Sequence, residues 1–261
     1  MIHKTAIINS KAKISSNIVI GPYCIIGPDV EINDDVIIQS HVNITGHTKI
    51  GKKNIIYPMS SIGSDPQDLK YKGEKTNLII GDNNIIREHV TINTGTIQGG
   101  GLTRVGSNNL IMIGAHIAHD CIVHNNIVMA NNSAIAGHAV IDDFVIIGAK
   151  CGIQQHIRIG KMAMIGGMTG VSRDVIPYGV STGNRNFLNG VNIVGLRRNK
   201  FENKDIIGLT EAYKEIFKTE RLNENLINLN KKYKENPLVK DVLKFINKDK
   251  KRPICTPRSE Q

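Results

Sequence analysis

An aliphatic residue recurs at every sixth position along most of the chain from Ile2 to Val171. From Ile2 the series runs to Ile62 without a gap, and it returns in the same phase at Ile80, Ile86 and Ile92. A period of six fits neither an isolated helix nor one alternating strand, and it is typical of hexapeptide β-helices. Each hexad then forms a short strand and a turn, with its aliphatic side chain pointing into a central column.

Three hexads can close one triangular coil, with one strand on each side. Residue n then lies over residue n+18, at the strand spacing of about 4.8 Å. After residue 104 the series restarts one residue out of step at Val105 and continues to Val171. The repeats therefore predict a mainly β fold, a parallel β-helix over residues 1–186, and they predict which side chains stack in successive coils.

Two polar segments interrupt the repeat. Residues 63–79 keep the phase, so we expect an excursion that replaces two hexads of a coil. An excursion of this length is uncommon without a purpose. Residues 93–104 contain three consecutive glycines, which permit positive φ or a close approach of the backbone. Because this segment lacks a Walker pattern and a following helix, a loop that contacts a neighbouring subunit or ligand is favoured over a phosphate loop.

From about residue 187 the hexads give way to helical spacing. Leu209, Ala212 and Ile216 share one apolar stripe, and Pro237 can occupy the first turn of a later helix. The sequence therefore predicts an α-helical C-terminal domain over residues 187–261, with its last ten or so residues loosely held.

Composition limits the core and the environment of the chain. Aromatic residues make up 4% and Trp is absent, so the core must be aliphatic. Cys24, Cys121 and Cys151 fall at the small inward position of their hexads, where a free thiol packs as an apolar group. No apolar run approaches the ~20 residues of a membrane span, and the N-terminus has no signal-peptide layout. These features predict a cytoplasmic protein that spans no membrane.

The positive charge is concentrated near the C-terminus. The formal net charge is +10, and residues 187–261 hold 17 Lys and Arg against 10 Asp and Glu, a net of +7. Aromatic side chains do not interleave with these cations in the way that base stacking needs, which disfavours single-stranded nucleic acid. A solvated helical surface and an acidic protein partner both remain compatible with this charge.

The stacking rule gathers polar residues of the second half of the column into one cluster. His119 is predicted to lie over Gly137, and Asp120 over His138, with His156 one coil further. A histidine is a natural general base near neutral pH, and an adjacent carboxylate can hold its tautomer. A glycine N–H beside them could stabilise an oxyanion. With no Ser or Cys placed as a nucleophile, direct attack by an activated substrate hydroxyl is the simpler scheme.

A metal site is the rival interpretation of the same cluster. The γ-class carbonic anhydrases also use hexapeptide β-helices, and His116, His119 and His138 could serve as their ligands do. The spacing of these histidines does not match that class, and hydration of a small gas explains neither the excursions nor the basic helices. A silent trimeric scaffold would not need this concentration of polar side chains.

Four ordered motifs narrow the interpretation to a family. They read SIGSDPQDLKYKGE (61–74), TIQGGGLTRVGSNNLIMIGAHIAHDC (96–121), NNSAIAGH (131–138) and GVNIVGLRR (190–198). The chain closely resembles the UDP-N-acetylglucosamine acyltransferases, which open lipid A biosynthesis. The resemblance implies a left-handed β-helix and a homotrimer with active sites between neighbouring columns. It also implies transfer of an (R)-3-hydroxyacyl chain from acyl carrier protein to the glucosamine 3-hydroxyl of UDP-N-acetylglucosamine, without metal or cofactor. A 3-amino sugar as the acceptor stays open.

The resemblance assigns roles to individual positions. It implies His119 as the general base, Asp120 as the residue that orients it and Gly137 as the oxyanion donor. The remaining implied positions are the substrate contacts Asp68, Lys70, His116, His138 and Gln155, the nucleotide contacts Asn192 and Arg198, and the floor of the acyl pocket, Gly167.

The chain departs from the family pattern at several positions. Asn93 and Thr94 replace a His-Arg pair, Gln154 replaces a familiar histidine, Arg185 stands where a histidine is usual, and Asn199 where an arginine often follows. These differences leave the base and its partner in place.

Overall fold

The strands form a triangular column of three sheets. The computed structural model describes residues 1–249 and 252–258, and in this part each sheet takes one strand from every coil. The first face of the column contains Ile7–Ile8, Ile25–Ile26, Asn43–Ile44, Ser61–Ser64, Thr91–Asn93, His116–Ile117, Ala134–Ile135, Gly152–Ile153 and Gly170–Val171. The second face contains Lys13–Ile14, Glu31–Ile32, His47–Ile50, Asn77–Ile80, Leu102–Val105, Ile122–Val123, Val140–Ile141 and Arg158–Ile159. The third face contains Val19–Ile20, Ile37–Ile38, Ile55–Ile56, Ile85–Ile86, Leu110–Ile111, Val128–Met129, Ile146–Ile147, Met164–Ile165, Gly179–Thr182 and Phe187–Val191.

The register between coils follows the predicted offset of three hexads outside the two excursions. On the first face, Ile117 pairs with Ile135, which pairs in turn with Ile153. The inward aliphatic residues from Ile20 to Val171 are each at most 2% exposed. Because burial of one such side chain stabilises the fold by about 1.5–3 kcal/mol, the ladder is the hydrophobic core of the column.

The first excursion is an insertion between two neighbouring strands. Ile80 pairs with Ile50, five hexads earlier in place of three, so this coil holds twelve residues more than a regular one. The expectation that residues 63–79 replace two hexads is therefore wrong. The loop leaves the column after Ser61–Ser64 on the first face and returns at Asn77–Ile80 on the second, so no face loses a strand. The phase survives because twelve is a multiple of six.

The second excursion explains the slip in phase. Val105 pairs with Ile80, which lies 25 residues earlier. A regular coil has 18 residues, so this coil holds seven additional ones. They form a 3₁₀ turn at Ile97–Gly99 between the first and second faces. Seven residues are one hexad and one further residue, which displaces every later repeat by one.

The cysteines predicted to fill the column are free and buried. Cys24, Cys121 and Cys151 lie in the hydrophobic core, which confirms the packing interpretation. Burial raises the pKa of the Cys121 thiol to about 12. The reactive thiolate is therefore scarce near neutral pH, and this residue is unsuited to nucleophilic chemistry.

Five helices follow the column within the described residues. They are α1 (Ile193–Arg198), α2 (Asn203–Ile216), α3 (Leu222–Asn228), α4 (Lys231–Lys234) and α5 (Pro237–Lys248). The strand Phe187–Val191 pairs with Gly179–Thr182 in the third sheet, antiparallel to it. The first helix therefore begins at Ile193, six residues after the predicted domain boundary at residue 187. None of these described helices has the length and apolar character needed to cross a membrane.

The chain beyond α5 packs against the end of the column. Ile254 and Cys255 are buried, and the Cys255 N–H donates to the Asp174 carbonyl at 2.7 Å. The Leu188 N–H donates to the Thr256 carbonyl at 2.9 Å. The expectation of a loosely held C-terminus is therefore wrong for residues 252–258, because backbone hydrogen bonds join them to the column. Residues 250, 251 and 259–261 lie outside the described part.

The ladder can be tested at two adjacent isoleucines of one strand. Ile26 points inward and is 2% exposed, whereas Ile25 points outward and is 47% exposed. We expect Ile26→Ala to lower the free energy of unfolding by about 2–5 kcal/mol because it leaves a cavity. Ile25→Ala is the matched control and should cost less than about 0.5 kcal/mol. Urea unfolding at one fixed protein concentration measures both, and equal losses would contradict the inward assignment.

Candidate active site

The polar cluster lies where the chain turns from the first face to the second. This region, here named the histidine corner, consists of residues 119–120, 137–138 and 155–156 in three successive coils. The His138 N–H donates to the His119 carbonyl at 3.1 Å, and the His156 N–H to the Gly137 carbonyl at 3.0 Å. Each bond joins residues 19 apart, and the adjoining strands pair at an offset of 18 residues, which confirms the predicted stacking of residues three hexads apart.

The backbone of the corner suits the residues found there. Asp120, His138 and His156 have φ of 60°, 62° and 62°. Positive φ is uncommon for residues with a side chain, and Asp and His are among the types that adopt it most readily. The turn therefore directs one polar side chain outward from each coil into a single column.

His119 and Asp120 form a buried hydrogen-bonded pair. His119 Nδ1 lies 2.8 Å from Asp120 Oδ2, and the two residues are 5% and 6% exposed. Because a carboxylate oxygen accepts, His119 donates from Nδ1 and keeps the lone pair on Nε2. This arrangement prepares Nε2 to take a proton and lets the carboxylate stabilise the resulting imidazolium.

The second excursion holds the Asp120 carboxylate in place. The Thr96 N–H donates to Oδ1 at 2.8 Å, and the Thr96 hydroxyl donates to Oδ2 at 2.6 Å. The Asp120 N–H donates to Thr103 Oγ1 at 2.7 Å. The seven additional residues of this coil fold into a turn that brings Thr96 beside the carboxylate. The hexad spacing predicts neither Thr96 nor Thr103 as a site residue, although the phase slip marks the segment that holds them.

A glycine is required where this excursion passes Asp120. A Cβ on Gly99 would lie 2.0 Å from the Asp120 carboxyl carbon, so any side chain would displace the carboxylate. Of the two interpretations of the glycine segment, close backbone approach applies at Gly99. Positive φ applies at Gly100 and Gly101, with φ of 96° and 75°.

Gly137 lies directly against the imidazole of His119. A Cβ at this position would lie 2.6 Å from His119 Cε1 and 2.8 Å from Nε2. Among the residues that the structure describes, none accepts a hydrogen bond from the Gly137 N–H. The residue thus approaches the base closely and carries an N–H that no described protein group accepts.

Further histidines surround the pair. The rings of His119 and His138 meet edge to face with centroids 5.2 Å apart, and His138 stacks on His156 at 4.4 Å. His116 Nδ1 lies 2.8 Å from Thr91 Oγ1. Burial lowers the pKa of both His116 and His138, so these two side chains are mainly neutral near pH 7.

The first excursion reaches the same corner. It leaves the column between the first and second faces, as residues 119–120 do, but two coils earlier. Asp68 Oδ1 accepts the Lys70 N–H at 2.9 Å, and the Lys70 side chain is exposed. Gln155 is exposed beside His156, one coil beyond Gly137.

Three predicted site residues lie elsewhere on this chain. Gly167 is exposed at the corner between the third and first faces. Asn192 caps α1 by accepting the Gly195 N–H at 2.9 Å, and its Nδ2 donates to the Met162 carbonyl at 2.9 Å. Arg198 is exposed at the end of α1. Within one chain these positions cannot join the histidine corner, because they lie at other corners or at the end of the column.

A metal does not fit the pair as it stands. His119, Asp120 and His138 offer ligand atoms that all lie within 4.8 Å of one another, a donor set that zinc can use. However, Asp120 Oδ2 already lies within 2.8 Å of His119 Nδ1 and 2.6 Å of the Thr96 hydroxyl. A metal ion would have to displace both hydrogen bonds, so the geometry favours an acid–base pair.

Comparison with known proteins identifies relatives along the whole chain. Residues 174–255 match the family model described as UDP N-acetylglucosamine O-acyltransferase, domain 2, and residues 11–46 match the bacterial transferase hexapeptide model of six repeats. The solved UDP-N-acetylglucosamine O-acyltransferase (LpxA) of Moraxella catarrhalis is 43% identical, with 98% of this chain and 99% of that chain covered and a TM-score of 0.93. LpxA of Acinetobacter baumannii is 42% identical over 97% of this chain and 99% of its own, with a TM-score of 0.91.

A third solved relative, the UDP-N-acetylglucosamine acyltransferase of Francisella novicida, is 37% identical, with 99% of this chain and 95% of that chain covered and a TM-score of 0.95. The chain belongs to the UDP-N-acetylglucosamine O-acyltransferase family. It is an acyltransferase, as the four motifs predicted. The relatives also confirm the predicted left-handed parallel β-helix with C-terminal helices.

The close contact at Gly99 gives a test of this acyltransferase. Gly99→Ala places a methyl group against the Asp120 carboxyl group and should shift the acid–base pair. A misplacement of about 1 Å typically costs about 100-fold in rate, so we expect a loss of that order in kcat. Gly27→Ala is the matched control, because its Cβ would meet its nearest atom at an ordinary 3.4 Å. Steady-state kinetics compare the two, and equal activities would show that Asp120 tolerates the displacement.

Proposed function

We propose that the protein transfers an (R)-3-hydroxyacyl chain from acyl carrier protein to the 3-hydroxyl of UDP-N-acetylglucosamine, in the first step of lipid A biosynthesis. The observation that carries the proposal is the buried His119–Asp120 pair with Gly137 against its imidazole. The names of the solved relatives support the acceptor sugar and the transfer to oxygen.

The pair suggests a direct transfer without a covalent enzyme intermediate. His119 Nε2 takes the proton of the sugar hydroxyl as its oxygen attacks the thioester carbonyl. The Gly137 N–H donates to the oxyanion of the tetrahedral intermediate. Asp120 stabilises the imidazolium, which then returns the proton to the departing thiolate. The neutral His116 and His138 can act as hydrogen-bond partners of the sugar without repelling the developing imidazolium.

A homotrimer supplies what one chain lacks. Gly167, Asn192 and Arg198 lie away from the histidine corner of their own chain, so we infer that a neighbouring subunit brings them to it. A ring of three requires head-to-tail contacts between unlike surfaces, which can place different corners in one cleft. The outer side of the third face offers an apolar contact surface in Val19, Ile37, Ile85, Ile146 and Met164, each 39–41% exposed.

His119→Ala tests the proposed base. A general base typically contributes about 10²–10⁴-fold, so kcat should fall by that factor in a transfer assay with UDP-N-acetylglucosamine and a series of 3-hydroxyacyl carrier proteins. His124→Ala is a suitable control, because this histidine is partly exposed just after the strand Ile122–Val123 and pairs at 4.0 Å with Asp142. Near-normal turnover by His119→Ala would overturn the mechanism. Transfer to a 3-amino sugar in preference to UDP-N-acetylglucosamine would overturn the proposed acceptor.

The basic C-terminal region offers a docking site for acyl carrier protein, which is acidic. Arg198, Lys200 and Lys204 are exposed around the junction of α1 and α2. We expect their joint reversal to Glu to raise the KM for acyl carrier protein about tenfold at low salt, because long-range attraction is lost. The effect should shrink at high ionic strength, where the Debye length is short.

A matched control reverses three exposed lysines at the opposite end of the column. Replacement of Lys4, Lys11 and Lys13 by Glu changes the net charge by the same amount as the triple variant at the α1–α2 junction. If both triple variants raised the KM equally, the effect would be one of net charge and the docking site would lie elsewhere.

A further inference from the structure

Residues 93–96 connect the two excursions. This segment, here named the strap, reads Asn-Thr-Gly-Thr and leads out of the strand Thr91–Asn93 into the second excursion. It contacts both ends of the loop at residues 65–76, which carries Asp68 and Lys70, and it also contacts Asp120. Each contact is a hydrogen bond between specific atoms.

Asn93 and Thr94 hold the end of the loop that leaves the column. Asn93 Nδ2 donates to the Asp65 carbonyl at 2.9 Å and to the Ser64 carbonyl at 3.4 Å. The Thr94 N–H donates to the same Ser64 carbonyl at 3.1 Å. Asn93 is 3% exposed, and its Oδ1 has no partner among the described residues. The Asn93 side chain therefore holds the loop through its NH₂ group, which donates both hydrogen bonds.

Thr94 and Gly95 hold the end that returns to the column. The Thr76 hydroxyl donates to Thr94 Oγ1 at 3.1 Å, and these two residues are 2% and 3% exposed. The Gly95 N–H donates to the Asn77 carbonyl at 3.2 Å. A hydrogen bond in such a dry environment is costly to lose, because the remaining partner stays buried without water.

Thr96 completes the connection at the catalytic pair. Its N–H and its hydroxyl both donate to the Asp120 carboxylate. Four consecutive residues therefore bridge the loop and the pair His119–Asp120. A displacement of the loop ends would therefore move Asp68 and Lys70 relative to this pair.

We propose that the strap positions the Asp68–Lys70 loop for binding of the sugar nucleotide, with Asn93 and Thr76 as positioning residues. The inference rests on the proposed function in assigning Asp68 and Lys70 to substrate contacts. Asn93 and Thr76 act through the backbone of the loop and the strap, and they take no part in proton transfer. Their loss should weaken binding of the nucleotide more than it slows the chemical step.

Substitutions at the two ends separate the hydrogen bonds from general packing. Thr76→Val keeps the shape and removes the hydroxyl, whereas Thr76→Ser keeps the hydroxyl. Asn93→Asp replaces the donor with an acceptor that faces two carbonyl oxygens. We expect Thr76→Val and Asn93→Asp to raise the KM for UDP-N-acetylglucosamine about tenfold, as loss of a buried hydrogen bond predicts, with kcat changed less than about threefold. Thr76→Ser should restore the KM to within about threefold of the unmodified enzyme.

Limited trypsin digestion measures the loop without substrate. The loop contains Lys70, Lys72 and Lys75, and cleavage there should become several-fold faster in Thr76→Val and Asn93→Asp. Ser60→Ala is the control, because it removes one buried hydroxyl bond, from Ser60 to the Arg87 carbonyl at 2.9 Å, that does not involve the loop. It should leave both the KM and the cleavage rate unchanged.

The two proposals can fail separately. If the unmodified enzyme transfers no acyl chain to UDP-N-acetylglucosamine, the proposed function is overturned. Faster cleavage of the loop in the variants would still support the role of the strap. Unchanged cleavage and KM in Thr76→Val would overturn the strap. An equal rise of KM in Ser60→Ala would also overturn it, since the effect would then be general destabilisation. If Asn93→Asp does not fold, the pair Thr76→Val and Thr76→Ser decides.

Discussion

The hydrogen-bonded stacking of one coil on the next governs the rest of this molecule. Parallel strands fix the vertical register between coils, and the inward isoleucines fix which side chain of each hexad is buried. A slip of one residue would move every aliphatic side chain out of the core, so the register is strongly specified. Residues three hexads apart are therefore held within one strand spacing, and the histidine corner inherits its geometry from this constraint.

The corner turns convert this regular register into chemistry. Successive coils turn through a residue with positive φ, which Asp120, His138 and His156 occupy one above another. Chemistry of this kind needs groups held in place before the substrate arrives, because rearrangement during the reaction adds to the barrier. The backbone bonds of the column hold His119 beside Gly137, and the side chain of Asp120 fixes the His119 imidazole.

The two excursions add what a regular column cannot provide. A pure repeat would leave the Asp120 carboxylate without the two hydrogen-bond donors of Thr96. The seven additional residues bring Thr96 and Gly99 onto the carboxylate, and the twelve additional residues form the loop that carries Asp68 and Lys70 at the same corner of the column. The strap joins these insertions, so the parts of the chain that break the repeat are tied to each other as well as to the column.

The sequence by itself determined the column, its period, the buried ladder and the pairing of His119 with Gly137, because a strict repeat converts spacing in sequence into distance. It also supplied the motifs that the solved relatives bear out as marks of an acyltransferase family. Only the tertiary structure decided how the irregular segments fold. Residues 63–79 proved to be an insertion, Asn192 a helix cap, and residues 252–258 a packed segment, since each depends on contacts between residues far apart in the chain. Hydrogen bonds such as those of Asn93 and Thr96 follow no period, and spacing alone could not reveal them.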